Sequence, residues 1–170
     1  MGWHKFKVWD PDVVESHNCP NQIYDSTQVG MKKVDAFAQT LKSFNNQVIV
    51  ETHDTYFTSE KNSNDLEDAV FVAVDSLSAR KEIISGLKDT LFLDLIFETK
   101  MGFTHAELNT ISPSNQQAID SYLSLLKTDE EVEESACNAR IITTLTTIVA
   151  SNLVHKLCDY YSSERRNTSF

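Results

Sequence analysis

The residues best placed to do chemistry are carboxylates that close apolar segments and a lysine that opens a helix. The alternating segment Lys5–Trp9 runs into Asp10-Pro11-Asp12-Val13-Val14-Glu15, with Asn18 and Gln22 further along the same loop. Val29-Gly30-Met31-Lys32-Lys33 then begins a stretch with helical spacing. In a parallel α/β sheet, ligands sit outside the carboxyl ends of the strands. A carboxylate there, such as Asp10, can hold a ribose by its hydroxyls, and a lysine in the first helical turn, such as Lys33, can reach phosphate oxygens. Asp75 closes the apolar run Ala69–Val74 and would face the same crevice, where it could hold Mg²⁺ against phosphates. Taken one at a time, Asp10 and Asp12 would merely end a strand and cap a turn, and Lys33 would be a solvated helix lysine.

These residues need strands and helices to carry them. Lys5–Trp9 reads as a strand, Val13–Gly30 as a long loop, and Met31–Asn45 as a helix with Val34, Phe37, Ala38, Leu41 and Phe44 on one face. Asn45-Asn46 is its expected stop. Gln47–His53 reads as a second strand, and the polar Tyr56–Asp68 stretch as a connection with a short helix near Asn64–Asp68. Ala69–Val74 and Leu91–Phe97 are continuous apolar runs of the kind that form strands buried on both faces. Between them Ser78–Leu87 has helical spacing, with Ile83, Ile84 and Leu87 inward. Phe103–Ile111 is expected as an outer strand and Gln116–Lys127 as a helix with Ile119, Tyr122, Leu123 and Leu126 on one face. Asp129–Glu134 is an acidic linker, Ala139–Tyr161 a long and mostly buried helix, and Glu164–Phe170 a tail. The order predicts an α/β fold with a mostly parallel sheet flanked by helices, in a single domain over residues 1–170.

Composition narrows the function. The 170 residues carry 15 Lys and Arg against 25 Asp and Glu, a net charge of -10. Such a field does not attract nucleic acid or anionic membrane, so neither is an expected partner. The hydrophobic fraction of 41% and charged fraction of 24% are those of a globular protein. No apolar run approaches the roughly 20 residues that span a bilayer, and Met1-Gly2-Trp3-His4-Lys5 has no signal-peptide core, so a cytoplasmic location is expected. Cys19, Cys137 and Cys158 are three and far apart, which argues against a disulfide framework or a zinc site. Cys137, at the start of the last helix, could gain nucleophilicity from the helix dipole, but no base lies beside it in sequence. The histidines His4, His17, His53, His105 and His155 lack metal-ligand spacing. Asp94, inside an apolar run, is either a satisfied buried group or a second site carboxylate. The four glycines Gly2, Gly30, Gly86 and Gly102 are dispersed, so neither a Walker loop nor a GxGxxG turn is present.

The segment DPDVVESHNCPNQ…VGMKK resembles the pattern D-x-D-x-V-x-x-x-N-x-x-R-Q…G-x-x-K of the ThiF/MoeB/HesA family, the adenylating domains related to ubiquitin-activating enzymes. VFVAVDSLSAR is similar to that family's apolar strand ending in an aspartate, with an arginine on the next helix. The resemblance covers Gly2 to Phe97 in order and continues more loosely to the last helix. It implies a Rossmann-like domain, with residues 1–100 the nucleotide-site half and residues 101–170 the outer strand and C-terminal helices. It implies ATP and Mg²⁺ as cofactors and, as partner, a ubiquitin-like or sulfur-carrier protein whose C-terminal carboxylate is adenylated.

By the same resemblance, Asp10 and Asp12 belong to the nucleotide site, with Asp10 on the ribose hydroxyls. Asn18 lies near the phosphates, Gln22 contacts the nucleotide, Lys33 neutralises phosphate charge, and Asp75 holds the metal. Two departures stand out. Asn21 occupies the position of the family's arginine, and the family's first strand, GxGxxG loop and helix have no counterpart, so the expected fold is truncated at its N-terminus. The domain is therefore expected to be incomplete or inactive by itself. The alternatives are a non-catalytic, homodimeric binding or assembly module, and a Rossmann-like cleft for another nucleotide or a small acid.

Overall fold

A computed structural model describes residues 3–101, 105–126 and 142–167. The chain divides into two compact units, Met1–Thr58 and Ser59–Phe170.

The first unit is a strand–helix–strand element. β1 (Lys5–Trp9) pairs in parallel with β2 (Ile49–His53), in a register that sets Trp9 opposite His53. α1 (Lys33–Phe44) connects them and buries Val34, Ala36 and Ala38. Phe37 and Leu41 are half-buried, whereas Phe44, expected on the inner face, is 77% exposed. The helix stops at Asn45, whose backbone N–H donates to the Leu41 carbonyl. The loop between β1 and α1 is long, as expected, but it is pinned. Val13 bridges Lys32 in antiparallel fashion, the Val14 N–H donates to the Met31 carbonyl at 2.8 Å, and the Gly30 N–H returns to the Val14 carbonyl at 2.9 Å. Gly30 makes that return at φ +92°, where a side chain would be strained.

The second unit begins with a short helix, α2 (Ser59–Asn62), and a 3-10 turn at Ser63–Asp65, slightly earlier than the spacing predicts. β3 (Asp68–Val72), α3 (Leu77–Gly86) and β4 (Leu93–Met101) form a second strand–helix–strand element with parallel strands. β5 (Ala106–Ile111) adds antiparallel to β4, giving the order β3-β4-β5. Ile83, Ile84 and Leu87 are buried as expected. α4 (Gln116–Leu125) buries Ile119. The architecture is mixed α/β with parallel strands flanked by helices, as the sequence predicts.

Three expectations are corrected. Of the two apolar runs, β4 alone is buried on both faces, because it is the central strand, whereas Phe71 on the edge strand β3 is 48% exposed. β4 also starts at Leu93 rather than Leu91, since Phe92 has a left-handed backbone (φ +65°) and Leu91 and Phe92 project outward. The last helix, α5 (Ile142–Asn167), is mostly exposed rather than mostly buried, and it extends into the expected tail. It packs a narrow stripe, with Leu157 buried and Leu153, Tyr160 and Tyr161 half-buried, against Leu95 and Phe97 of β4. Ile148 and Val154 remain 52% and 53% exposed. The linker Asp129–Glu134 and Cys137 lie outside the described residues. Among the described residues, no helix is long and apolar enough to cross a membrane.

Candidate functional site

In the first unit the structure brings Asp10, Asp12 and Lys33 together where β1 gives way to the loop. Asp10 leaves the strand with its N–H on the His53 carbonyl, at 3.2 Å. Its Oδ1 accepts from the Asp12 N–H at 2.8 Å, which turns the chain around the intervening proline. The Asp12 carbonyl in turn accepts from the Lys33 N–H at 2.8 Å, one of the backbone donors at the start of α1. The Lys33 ammonium reaches Asp12 Oδ2 at 2.7 Å, with side-chain exposures of 15% for Lys33 and 60% for Asp12. Asp12 is thus the joint between the carboxylate of Asp10 and the lysine of α1.

Tyr24 closes this corner by donating its hydroxyl to the Lys33 carbonyl at 3.4 Å. Burial, with the negative charge of Asp10 and Asp12 adding to it, pushes its phenol up to about 12. The adjacent Lys32 pairs with Asp54 at 2.9 Å. Behind Asp10, Trp9 stacks on His53 with ring centres 4.7 Å apart and meets Phe57 edge-on.

Asn18 is buried, and its bonds are short-range. Its Oδ1 accepts from the Glu15 N–H at 2.8 Å, and its carbonyl accepts from the N–H groups of Asn21 and Gln22. It therefore shapes the turn that carries Gln22, whose side chain is exposed.

Sequence reasoning missed Gln28, which is 4% exposed. Its Nε2 donates to the Ala36 carbonyl, Gln39 Oε1 and Thr40 Oγ1, at 3.1, 2.9 and 3.2 Å, and its Oε1 accepts from the Asp25 N–H at 3.1 Å. Asp25 and Gln28 form a capping box, and the acidic residue followed three positions later by glutamine was the signal that could have found it. Hydrogen bonds from Thr27 hold the Asp25 carboxyl below its usual range.

Asp75 belongs to the second unit. It follows β3, is exposed, and accepts the Ser76 N–H on Oδ1 at 2.8 Å. Ser76 caps α3 by accepting the Ala79 N–H at 3.2 Å. One turn on, Arg80 is 3% exposed and forms an ion pair with the fully buried Glu98. Its guanidinium also donates to the Thr99 carbonyl at 2.7 Å and to the carbonyl of Val74, the residue before Asp75. Asn109 donates to the other oxygen of Glu98 at 2.7 Å. The sequence pointed to an arginine on this helix but not to Glu98, which stands just past the apolar run. Nearby, Lys100 lies over the Tyr122 ring at 5.2 Å, and burial pushes the Tyr122 phenol up to about 12 against the opposing charge of Arg80. Asp94 is neither buried nor near these groups in the bond network. It is an exposed acceptor for the Tyr161 hydroxyl at 3.1 Å, and burial, with that bond adding to it, raises the Tyr161 phenol.

The ThiF family model matches residues 1–169. The chain belongs to the ThiF family. The resemblance read from the Asp10–Lys33 and Asp75–Arg80 motifs is borne out. Among solved structures this ThiF-family chain is similar to PaaA, with a TM-score of 0.62 and 19% identity, over 92% of this chain and 49% of PaaA. It is also similar to Escherichia coli MccB crystallised with ATP, with a TM-score of 0.62 and 14% identity over 92% of this chain and 49% of that one. The E. coli tRNA N6-threonylcarbamoyladenosine dehydratase TcdA gives a TM-score of 0.63 and 18% identity, over 95% of this chain and 77% of TcdA. The chain spans about half the length of PaaA and MccB. No curated protein matches it.

The residues present suit a nucleotide in the first unit, where a carboxylate and a lysine are linked through the backbone N–H and carbonyl of Asp12. Among the described residues no group of three His, Cys, Asp or Glu is clustered as a metal cage. That fits Mg²⁺ only in the form in which it usually meets proteins, held by one or two carboxylates together with substrate phosphates.

Proposed function

We propose that this ThiF-family chain binds ATP with Mg²⁺ and serves the adenylation of a C-terminal carboxylate on a small protein or peptide, a ubiquitin-like or sulfur-carrier protein being the partner the family suggests. ATP supplies the adenylyl group, with pyrophosphate as the leaving group, and Mg²⁺ neutralises phosphate charge. Asp10 would take the ribose hydroxyls and Lys33 the phosphate oxygens. Gln22 would contact the nucleotide from the loop that Asn18 holds in shape.

The observation that carries this reading is the backbone relay from Asp10 through Asp12 to Lys33. It fixes a hydroxyl acceptor and a phosphate-binding cation relative to one another before any ligand arrives. Such preorganisation spares a ligand the ordering of the Asp10 carboxylate and of the backbone that carries Lys33. Crystals of MccB with AMPCPP and MccA support the choice of a nucleotide together with a peptide or protein partner.

The test is calorimetric titration of the chain with ATP and Mg²⁺, alongside Asp10→Ala and Lys33→Ala. Saturable binding that weakens at least tenfold in each variant supports the reading. Binding that is absent, or indifferent to both substitutions, overturns it and leaves the non-catalytic assembly module as the alternative.

A further inference from the structure

Asp12 and Lys33 meet through two separable sets of contacts. Backbone atoms make the first, since the Asp12 N–H is taken by Asp10 and the Asp12 carbonyl takes the Lys33 N–H, both at 2.8 Å. These contacts already set the course of the loop. Side chains make the second, the 2.7 Å ion pair between Lys33 Nζ and Asp12 Oδ2. It adds charge cancellation to a geometry that does not need it. The exposures of 15% for Lys33 and 60% for Asp12 mean that solvent meets the carboxylate before it meets the ammonium. The neighbouring Lys32 is paired in the same way with Asp54. Both lysines at the start of α1 are thus matched to carboxylates in this structure.

We propose that Asp12 is a resting counter-charge for Lys33, which a polyphosphate must displace to gain the ammonium. The proposal rests on the reading of Lys33 as a phosphate-binding residue. A carboxylate offers one negative charge, whereas a polyphosphate offers several oxygens that share a larger one, so the exchange favours polyanions over monoanions. Half-exposed pairs of this kind are weak enough to open, with interaction energies between those of surface ion pairs and of hydrogen bonds to charged groups. Asp12 thereby sets both the resting charge of the site and the minimum charge of a ligand that can take it.

The probe is inorganic tripolyphosphate without divalent cations, titrated calorimetrically into the full chain. Asp12→Asn keeps the backbone donor and acceptor and the side-chain size but removes the charge. It should bind tripolyphosphate about three- to tenfold more tightly than the wild type, and the gain should vanish in Asp12→Asn/Lys33→Met. Circular dichroism checks the fold, and Asp12→Ser carries the same expectation if Asp12→Asn is unfolded. Unchanged or weaker binding by the variants, a gain that survives loss of Lys33, or no measurable binding by any of the proteins overturns the proposal. So does weakening confined to titrations with Mg²⁺, which would make Asp12 a metal ligand. Tripolyphosphate has no ribose or base. A chain that fails to bind ATP yet shows the Asp12→Asn gain would lose the adenylation reading and keep the counter-charge.

Discussion

Breaking the Arg80–Glu98 pair from one side should be among the most damaging single changes in the second unit. Arg80 is 3% exposed and Glu98 fully buried, so neither charge can fall back on water. In Arg80→Met the methionine retains much of the aliphatic volume, and cavity formation contributes little. What is lost is electrostatic. The carbonyls of Val74 and Thr99 lose a charged donor, and Glu98 keeps the amide of Asn109 but no counter-ion. Removing one partner of a buried pair costs about 3–5 kcal/mol. With a urea m-value of about 2 kcal/mol/M, the unfolding midpoint should fall by about 1.5–2.5 M. Far-UV circular dichroism is the assay, because both tryptophans, Trp3 and Trp9, lie in the other unit. Glu98→Gln should also destabilise, since it strands the guanidinium. Arg80→Met/Glu98→Gln should cost less than the two single changes added together, with a coupling of at least about 2 kcal/mol. A midpoint shift below about 0.5 M for Arg80→Met, or strict additivity, would refute this account of the pair.

Gln28→Ala should destabilise the first unit by about 2–3 kcal/mol, because three donor contacts and one acceptor contact of a buried amide are removed at once; the denaturant midpoint by tryptophan emission checks this. Tyr24 should be among the late-ionising tyrosines in a spectrophotometric alkaline titration, and Tyr24→Phe should remove that step. Its phenol ionises near 10.0 in an unfolded chain and near 12 when folded, so its contribution to stability is whole below pH 10 and is lost as the pH climbs towards 12. Tyr24→Phe should therefore blunt the alkaline fall in stability.

Much of the scaffold was legible because it rests on local pattern. Alternation in Lys5–Trp9 gave β1, 3.6-residue spacing gave α1 and α3, and Asn45 gave the helix stop. Lys33 could be placed at a helix start because the apolar helical spacing begins at Val34, just after it. The failures share a different cause, which is that burial depends on neighbours outside the segment. Phe71 looks like Phe97 in sequence, yet one stands on an edge strand and the other on the central strand. Leu91 and Phe92 continue an apolar run, but the left-handed backbone at Phe92 breaks the strand before Leu93. α5 carries apolar residues around much of its circumference, and only the stripe through Leu153 and Leu157 meets a sheet. Glu98 would read as the polar end of a strand, and its partner Arg80 is supplied by another element. The site was read in part for the same reason. Asp10, Asp12 and Lys33 are joined by local backbone bonds, whereas the anchoring of the Asp75 turn by Arg80 is tertiary.

The two candidate carboxylates are prepared in one way. Asp10 binds the N–H two residues on, and Asp75 binds the N–H of the next residue, each through Oδ1. Among the described residues, no hydrogen bond is made to the second oxygen of either. Each side chain is thus held by its own backbone before a ligand arrives, and little rotamer freedom remains to be lost on binding. The lysine is prepared differently, since Lys33 is held by a group that a ligand must replace. A hydroxyl-bearing ligand would meet a ready acceptor at Asp10, while a phosphate would meet an occupied cation at Lys33. Affinity for the two parts of a nucleotide should accordingly differ in origin, with recognition at Asp10 gained by preorganisation and recognition at Lys33 gained by exchange. Ionic strength separates them. Added salt screens the incoming polyanion and the half-exposed Asp12–Lys33 pair together, so the exchange at Lys33 is a difference of two screened terms and should be less salt-sensitive in the wild type than in Asp12→Asn, where the ammonium meets the polyanion without a rival.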